Sequence, residues 1–379
     1  MFTLARALPR AVCTMALAGL AGLAALAPLA EAGARQLQIR DYDPLVLDSP
    51  QSIPPGQVRA RFMGVSTLLL DDGKDQILLD GFFSRPDLGD AVLTLGRPKP
   101  DAGVIRRAMV RTGITRLRAV LVAHAHHDHA FDTADVIVAA DRAQTRQILL
   151  VGSASVRNVA LGRYRPERWI YQAPRLSQAA ALAVGDFRIW AIETPHSPSR
   201  LGRGSIDGPL GPRPSIFDYK SGPNFSYVVE HGDLQILLYP SAHWPKAVLP
   251  REVRPDVIFL GVGNLGGEDD SFAETYWRRV VRDTDAPLVI PVHWDDIQQP
   301  LQLDPRLPHV AKPNTFLDDA RKGLQKVFRP ACASPVDVRF MPFFVEIPLA
   351  SAPPASARFP RTVSDPMRGP CAAIGVALR

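Results

Sequence analysis

Cysteine is scarce, with three residues in 379, at positions 13, 332 and 371. That scarcity excludes a cysteine-rich zinc module and a disulfide-dense small scaffold, both of which need several thiols at short spacing. Internal repeats are absent, and the one compositionally biased stretch is the Ala/Pro/Ser-rich run at 350–358. A solenoid is therefore excluded. One domain is the simpler organisation, although domains of about 100–200 residues would leave room for two. No run of interleaved aromatic and basic residues marks a nucleic-acid surface. Hydrophobic content of 46% with 22% charge is ordinary for a chain that buries a substantial core, which argues against disorder.

Proline, in contrast, is plentiful: 36 residues spread along the chain imply many shaped loops rather than one linker. The first 34 residues read as an export signal. Arg6 and Arg10 precede an uncharged run from Ala11 to Ala30, and Ala30-Glu31-Ala32 and Ala32-Gly33-Ala34 both suit cleavage at small residues. An uncleaved anchor is the alternative, since about twenty apolar residues can span a bilayer, but Pro28 and the Ala/Gly content favour removal. The expected mature protein is periplasmic or secreted, has no stable membrane span, and starts near Gly33 or Arg35. In an oxidising compartment Cys332 and Cys371 can pair and pin a C-terminal tail (350–379) to the body (35–349). The leader carries +1 of the formal +6, leaving about +5. In an exported protein that charge points either towards anionic lipid or small anionic substrates or to solubility alone.

Short apolar runs predict strands at Val58–Met63, Ser66–Leu70, Gln76–Leu79, Ala119–Val122, Gln147–Val151, Phe187–Ile192, Phe225–Val229, Leu234–Tyr239, Asp256–Leu260 and Leu288–Val292. "DDGKD" and "EHGD" between two of the pairs read as hairpin turns. Helices are predicted over Ala102–Arg111, from a capping box at Ser271–Glu274, and over Thr315–Val327. Hairpins beside crossover helices predict a mixed sheet covered by helices, of the α/β or α+β class.

Four of the nine histidines fall within "HAHHDH", residues 124–129. The run is entered from the apolar "RAVLVA" and left through "AFDTADVIVAA", which places it at a strand's end on a turn into a helix. Open sheets hold their ligands there. His124 and His126, two apart on extended chain, can face one cation, whereas on a helix they would diverge by about 200°. Asp128 and His129 can reach a second position. His127 falls out of step and is given no ligand role.

The pattern His124-x-His126-x-Asp128-His129 resembles the second motif of the metallo-β-lactamase superfamily, and further landmarks follow in order. "QILLDGFF" places Asp80 after a strand, "IETPHSP" places His196 after another, and "LVIPVHWDD" places His293 at the end of the last; the resemblance spans about Arg59 to Asp296. It implies a four-layer αββα sandwich and a zinc site, with two ions expected and other divalent metals possible. Carried over residue by residue, His124, His126 and His196 would surround one metal, and Asp128, His129 and His293 the other, with Asp128 also orienting the nucleophile. Asp80 would accept a hydrogen bond from a ligand histidine. One landmark departs. Where two-metal members often carry a bridging aspartate, "ILLYPSAHW" offers Ser241 or Ala242, leaving Ser241 beside the ligands and His243 as a possible substitute. The third subclass of metallo-β-lactamases also lacks that ligand and still holds two zinc ions. His126 argues against the family's iron-containing branch, which typically has Glu there.

The resemblance implies an exported hydrolase that cleaves an ester, lactone, amide or phosphodiester of a small-molecule substrate with hydroxide formed on the metal. The sequences around Asp80 and His293 look closer to the lactonase and phospholipase branch than to true lactamases, because His196 is followed by Ser-Pro-Ser and not Thr-Pro-Gly. The alternatives are a metal- or ligand-binding protein without turnover, a β-lactamase and, given the basic charge, a nuclease. The Gly/Pro-dense segment Ser197–Pro223, with Arg200, Arg203, Arg213 and Lys220 against Asp207 and Asp218, is either a lid over an anionic or lipid-like substrate or a plain spacer.

Overall fold

The computed structural model describes residues 39–50, 52–86, 96–143, 147–164, 180–199, 202–301, 303, 319–351 and 365–376. All belong to one compact unit, Arg35–Arg379; the proposed leader, Arg200 and most of the 350–364 stretch lie outside the described residues. In chain order the strands are β1 (Arg59–Phe62), β2 (Leu68–Asp71), β3 (Gln76–Leu79), β4 (Leu117–Leu121), β5 (Leu149–Val151), β6 (Leu182–Val184) and β7 (Phe187–Thr194). They continue as β8 (Asn224–His231), β9 (Leu234–Tyr239), β10 (Val257–Gly261), β11 (Leu288–Val292), β12 (Asp337–Val338) and β13 (Glu346–Pro348). The helices are α1 (Ala102–Thr112), α2 (His127–Ala130), α3 (Thr133–Ala143), α4 (Ala154–Arg163), α5 (Asp270–Val280), α6 (Ala320–Cys332) and α7 (Arg368–Ala373).

Two mixed sheets form. One has the order β13-β1-β2-β3-β4-β5 and the other β12-β11-β10-β9-β8-β7-β6. Both expected hairpins, β2/β3 and β8/β9, are antiparallel, whereas β3/β4/β5 and β9/β10/β11/β12 run parallel through crossover connections. β2, β3 and β10 are buried along their whole length, as strands covered on both faces must be. The sheets meet where the Tyr227 hydroxyl of β8 donates to the carbonyls of Val122 (2.8 Å) and Val151 (3.3 Å), just past β4 and at the end of β5. Helices α1, α3 and α4 pack together beside the first sheet, and α5 and α6 beside the second, giving the expected αββα layering.

Helix limits follow local capping. Asp101 accepts from the Gly103 and Val104 amides to start α1, and Gly113, at φ +66°, ends it in the left-handed conformation that glycine adopts without strain. One expectation needs correction. The second predicted helix is capped by Asp269, which accepts from the Phe272 amide, while Ser271 donates its hydroxyl to Asp269; Ser271 therefore opens no capping box. An aspartate one residue outside the first turn is the stronger acceptor for the free amides. The third predicted helix is described from Ala320, with Asp319 as its cap, and its expected start at Thr315 lies outside the described residues. Cys332 of α6 and Cys371 of α7 are disulfide-bonded, 39 residues apart, so the tail's last helix is fastened to the body.

Candidate metal centre

The proposed site residues leave the C-terminal ends of different strands. Asp80 follows β3, the 124–129 turn follows β4, His196 follows β7 and His293 follows β11. Two of these strands lie in each sheet, and the folded chain gathers the side chains where their C-terminal ends meet. His124, His126 and His196 form one triad, and Asp128, His129 and His293 a second; within each, one ligand atom per residue lies within 4.8 Å of the others. The triads adjoin, with the His124 and His129 ring centroids 4.0 Å apart.

Each triad is held from behind. Asp80 is fully buried in a left-handed conformation (φ +59°), which Asp tolerates better than most residues. Its Oδ1 accepts from the Ala123 amide (2.9 Å), and its Oδ2 accepts from His129 Nδ1 (2.8 Å) and from the Ser66 hydroxyl. The expected aspartate–histidine pair is therefore Asp80–His129. His196 Nδ1 donates to the Ser197 carbonyl (2.6 Å), and His126 Nε2 donates to the Gly202 carbonyl (3.0 Å). These bonds turn His129 Nε2, His196 Nε2 and His126 Nδ1 away from their acceptors. His126 Nδ1 lies 2.9 Å from His124 Nε2, and His293 Nε2 lies 3.2 Å from Asp128 Oδ2.

Electrostatics prepare the same atoms. Burial, reinforced by the neighbouring imidazoles, pushes His124 well below its ordinary value and His196 down to about 3; burial also lowers His126. Burial lowers His129 too, but Asp80 and Asp128 outweigh it and the ring ends above its ordinary value. Burial alone would raise the Asp128 carboxyl, yet His129, His293 and His127 hold it well below the usual carboxylate range. The first triad thus presents neutral imidazoles at neutral pH, and the second an ionised carboxylate with two imidazoles. Nitrogen donors with one carboxylate fit a borderline cation such as zinc better than a hard one.

Other expectations fare differently. Ser241 is buried, but its hydroxyl donates to Asn224 Oδ1 (3.0 Å) and not to a ligand histidine, because Asn224 bridges from there to Thr194. That bond ties it to the support of β7. His243 packs against Trp244 and edge-on to Phe272 and is in neither triad. His127 packs edge-on to Phe82 and is likewise outside both. The 202–223 part of the insertion is fastened to α4 and to the 124–126 turn, which does not fit a hinged lid.

Sequence reasoning missed the buried Arg85–Asp295 ion pair (2.8 Å). Asp295 also accepts from the Val65 amide, and the His293 amide donates to the Val65 carbonyl, so the pair joins the His293 turn to the turn after β1. The only signal was the second-to-last Asp of "PVHWDD", which carried no partner in the sequence.

Two adjoining nitrogen-rich triads on the rim of paired mixed sheets are candidate metal-binding groups on a metal-dependent hydrolase fold. Residues 59–293 match the model of a family described as "Beta-lactamase superfamily domain". The chain belongs to that family, whose fold is that of metal-dependent hydrolases. Similar solved structures include the metallo-beta-lactamase fold protein YhfI from Bacillus subtilis, at 14% identity and TM-score 0.44, covering 77% of this chain and 99% of that one. Igni18, a metallo hydrolase from Ignicoccus hospitalis, is 14% identical with TM-score 0.42, covering 78% and 99%. A possible metal-dependent hydrolase from Veillonella parvula is 17% identical with TM-score 0.39, covering 77% and 100%. No curated protein matches the sequence.

Proposed function

We propose that this protein is an exported hydrolase that holds two divalent ions, zinc foremost, and cleaves an ester, lactone, amide or phosphodiester in a small substrate with an anionic or lipid-like portion. The observation that carries the reading is the convergence of His124, His126, His196, Asp128, His129 and His293 into two adjoining triads. Divalent ions in such a site supply Lewis-acid polarisation and lower the pKa of water to about 7. The protein's part is to bind and orient. Asp80 and Ser66 fix the His129 ring, the Ser197 carbonyl fixes His196, and the ionised Asp128 is placed to hold both a cation and a proton-bearing nucleophile. The Cys332–Cys371 bond supports an oxidising compartment and hence export.

Ser241 in place of a carboxylate favours a second reading, a binding protein without turnover. Lactone, phosphodiester, acyl-amide and β-lactam substrates assayed beside metal counting on unchelated protein separate the two. We expect turnover of one of the first three, abolished in His126→Ala. Metal binding with no turnover on any of them favours the second reading, and protein without a transition metal refutes both.

A further inference from the structure

We propose that the insertion between β7 and β8 is a fixed positioning element for the first triad, and that the Gly202 carbonyl holds His126 with its Nδ1 turned towards the cation. This rests on the reading of that triad as a metal site. The carbonyl offers only lone pairs, so the His126 proton sits on Nε2, 3.0 Å away, and Nδ1 is left facing His124 Nε2. His129 and His196 are held from the other ring nitrogen, Nδ1, by Asp80 and by the Ser197 carbonyl. His126 is held on its opposite side, from Nε2, by a carbonyl that belongs to the insertion.

The insertion brings that acceptor in and locks it. The Ser221 amide donates to the same Gly202 carbonyl (2.7 Å), the Gly222 amide donates to the Gly204 carbonyl (2.8 Å), and the Ala125 amide donates to the Ser221 carbonyl (2.9 Å). The two ends of the insertion thus pair with each other and with the residue between His124 and His126. Its middle is tied to α4: Ser155 Oγ accepts from the Ile206 amide (2.9 Å), Asn158 Nδ2 donates to the Ile206 carbonyl (2.7 Å), and the Asn158 carbonyl accepts from the Leu210 amide (3.1 Å). Gly202 has φ +66°, and a Cβ there would lie 2.4 Å from His126 Nε2. Only glycine allows this approach.

The test uses the full-length protein with ¹⁵N-labelled histidine, comparing wild type, Gly202→Ala, Asn158→Ala and Gly208→Ala, where an added Cβ meets nothing within 4 Å. His126→Gln assigns the resonance. In the metal-free wild type we expect a protonated, slowly exchanging His126 Nε2 and a bare Nδ1. Gly202→Ala should speed that exchange and weaken zinc binding at the first triad roughly 10–100-fold in a chelator competition. The second triad, reported by the equivalent lost in Asp128→Asn, should keep its affinity. Asn158→Ala, which touches only the anchor, should move the same two readouts less, and Gly208→Ala neither. Unchanged exchange and affinity in Gly202→Ala, or equal weakening of both triads, overturns the inference. Wild type that shows the protected Nε2 proton yet binds no zinc overturns the metal reading instead.

Discussion

Asp80 ties three groups together at the centre, because one side chain satisfies the Ala123 amide, the Ser66 hydroxyl and the His129 ring. Removing it frees His129 to rotate and leaves a buried amide without an acceptor. Asp80→Ala should therefore lower zinc affinity roughly 10–100-fold, measured by competition with a chromophoric chelator. Asp132 makes a different prediction. It is fully buried, and burial, assisted by Asp135, raises its carboxyl from 3.8 to about 7 against the opposing amides of Ser84 and Phe83. Between those values the folded protein keeps a proton that the unfolded chain has lost. The resulting stability is fully present below about pH 4 and falls as pH rises through 7. Asp132→Asn should flatten this dependence in urea melts between pH 4 and 7. An unchanged slope counts against the assignment. At this scale the ligands were legible because their chemistry is in the side chain. The Gly202 and Ser197 carbonyls were not, since every residue has one and only folding says which is aimed at a ring.

Strands and turns were legible wherever a long apolar run met a glycine-bearing turn, as in β2/β3 and β8/β9. The two-residue β12 and the three-residue β6 and β13 are too short to show a period, and they form because an exposed edge was there to pair with. Nor does the pattern show how turns lock together. Arg85 and Asp295, 4% and 1% exposed, join the turn after β1 to the turn that carries His293. The close approach requires Gly64, at φ +88°, where a Cβ would lie 2.0 Å from Arg85 Nη2. Truncating one member of such a pair leaves a buried charge alone. Arg85→Met should cost about 3–5 kcal/mol in denaturant unfolding, and Arg85→Met with Asp295→Leu should recover much of it. Equal losses in the single and double variants would show that the pair's charge is not what matters there.

Across the whole molecule, two sheets are joined through Tyr227 and the tail is fastened through Cys332–Cys371, a cross-link worth about 3–4 kcal/mol in the chain-entropy model. The αββα layering was legible only through the ordered set of Asp80, the 124–129 turn, His196 and His293. Strand periodicity alone gave a mixed sheet without saying that there are two. Those same separated positions carry the function, so the most direct measurement is metal stoichiometry by titration of metal-free protein with zinc. The account predicts two ions per chain, one lost in His196→Ala and the other in His293→Ala. Binding that survives both substitutions, or a wild-type protein that takes up no zinc, would contradict it.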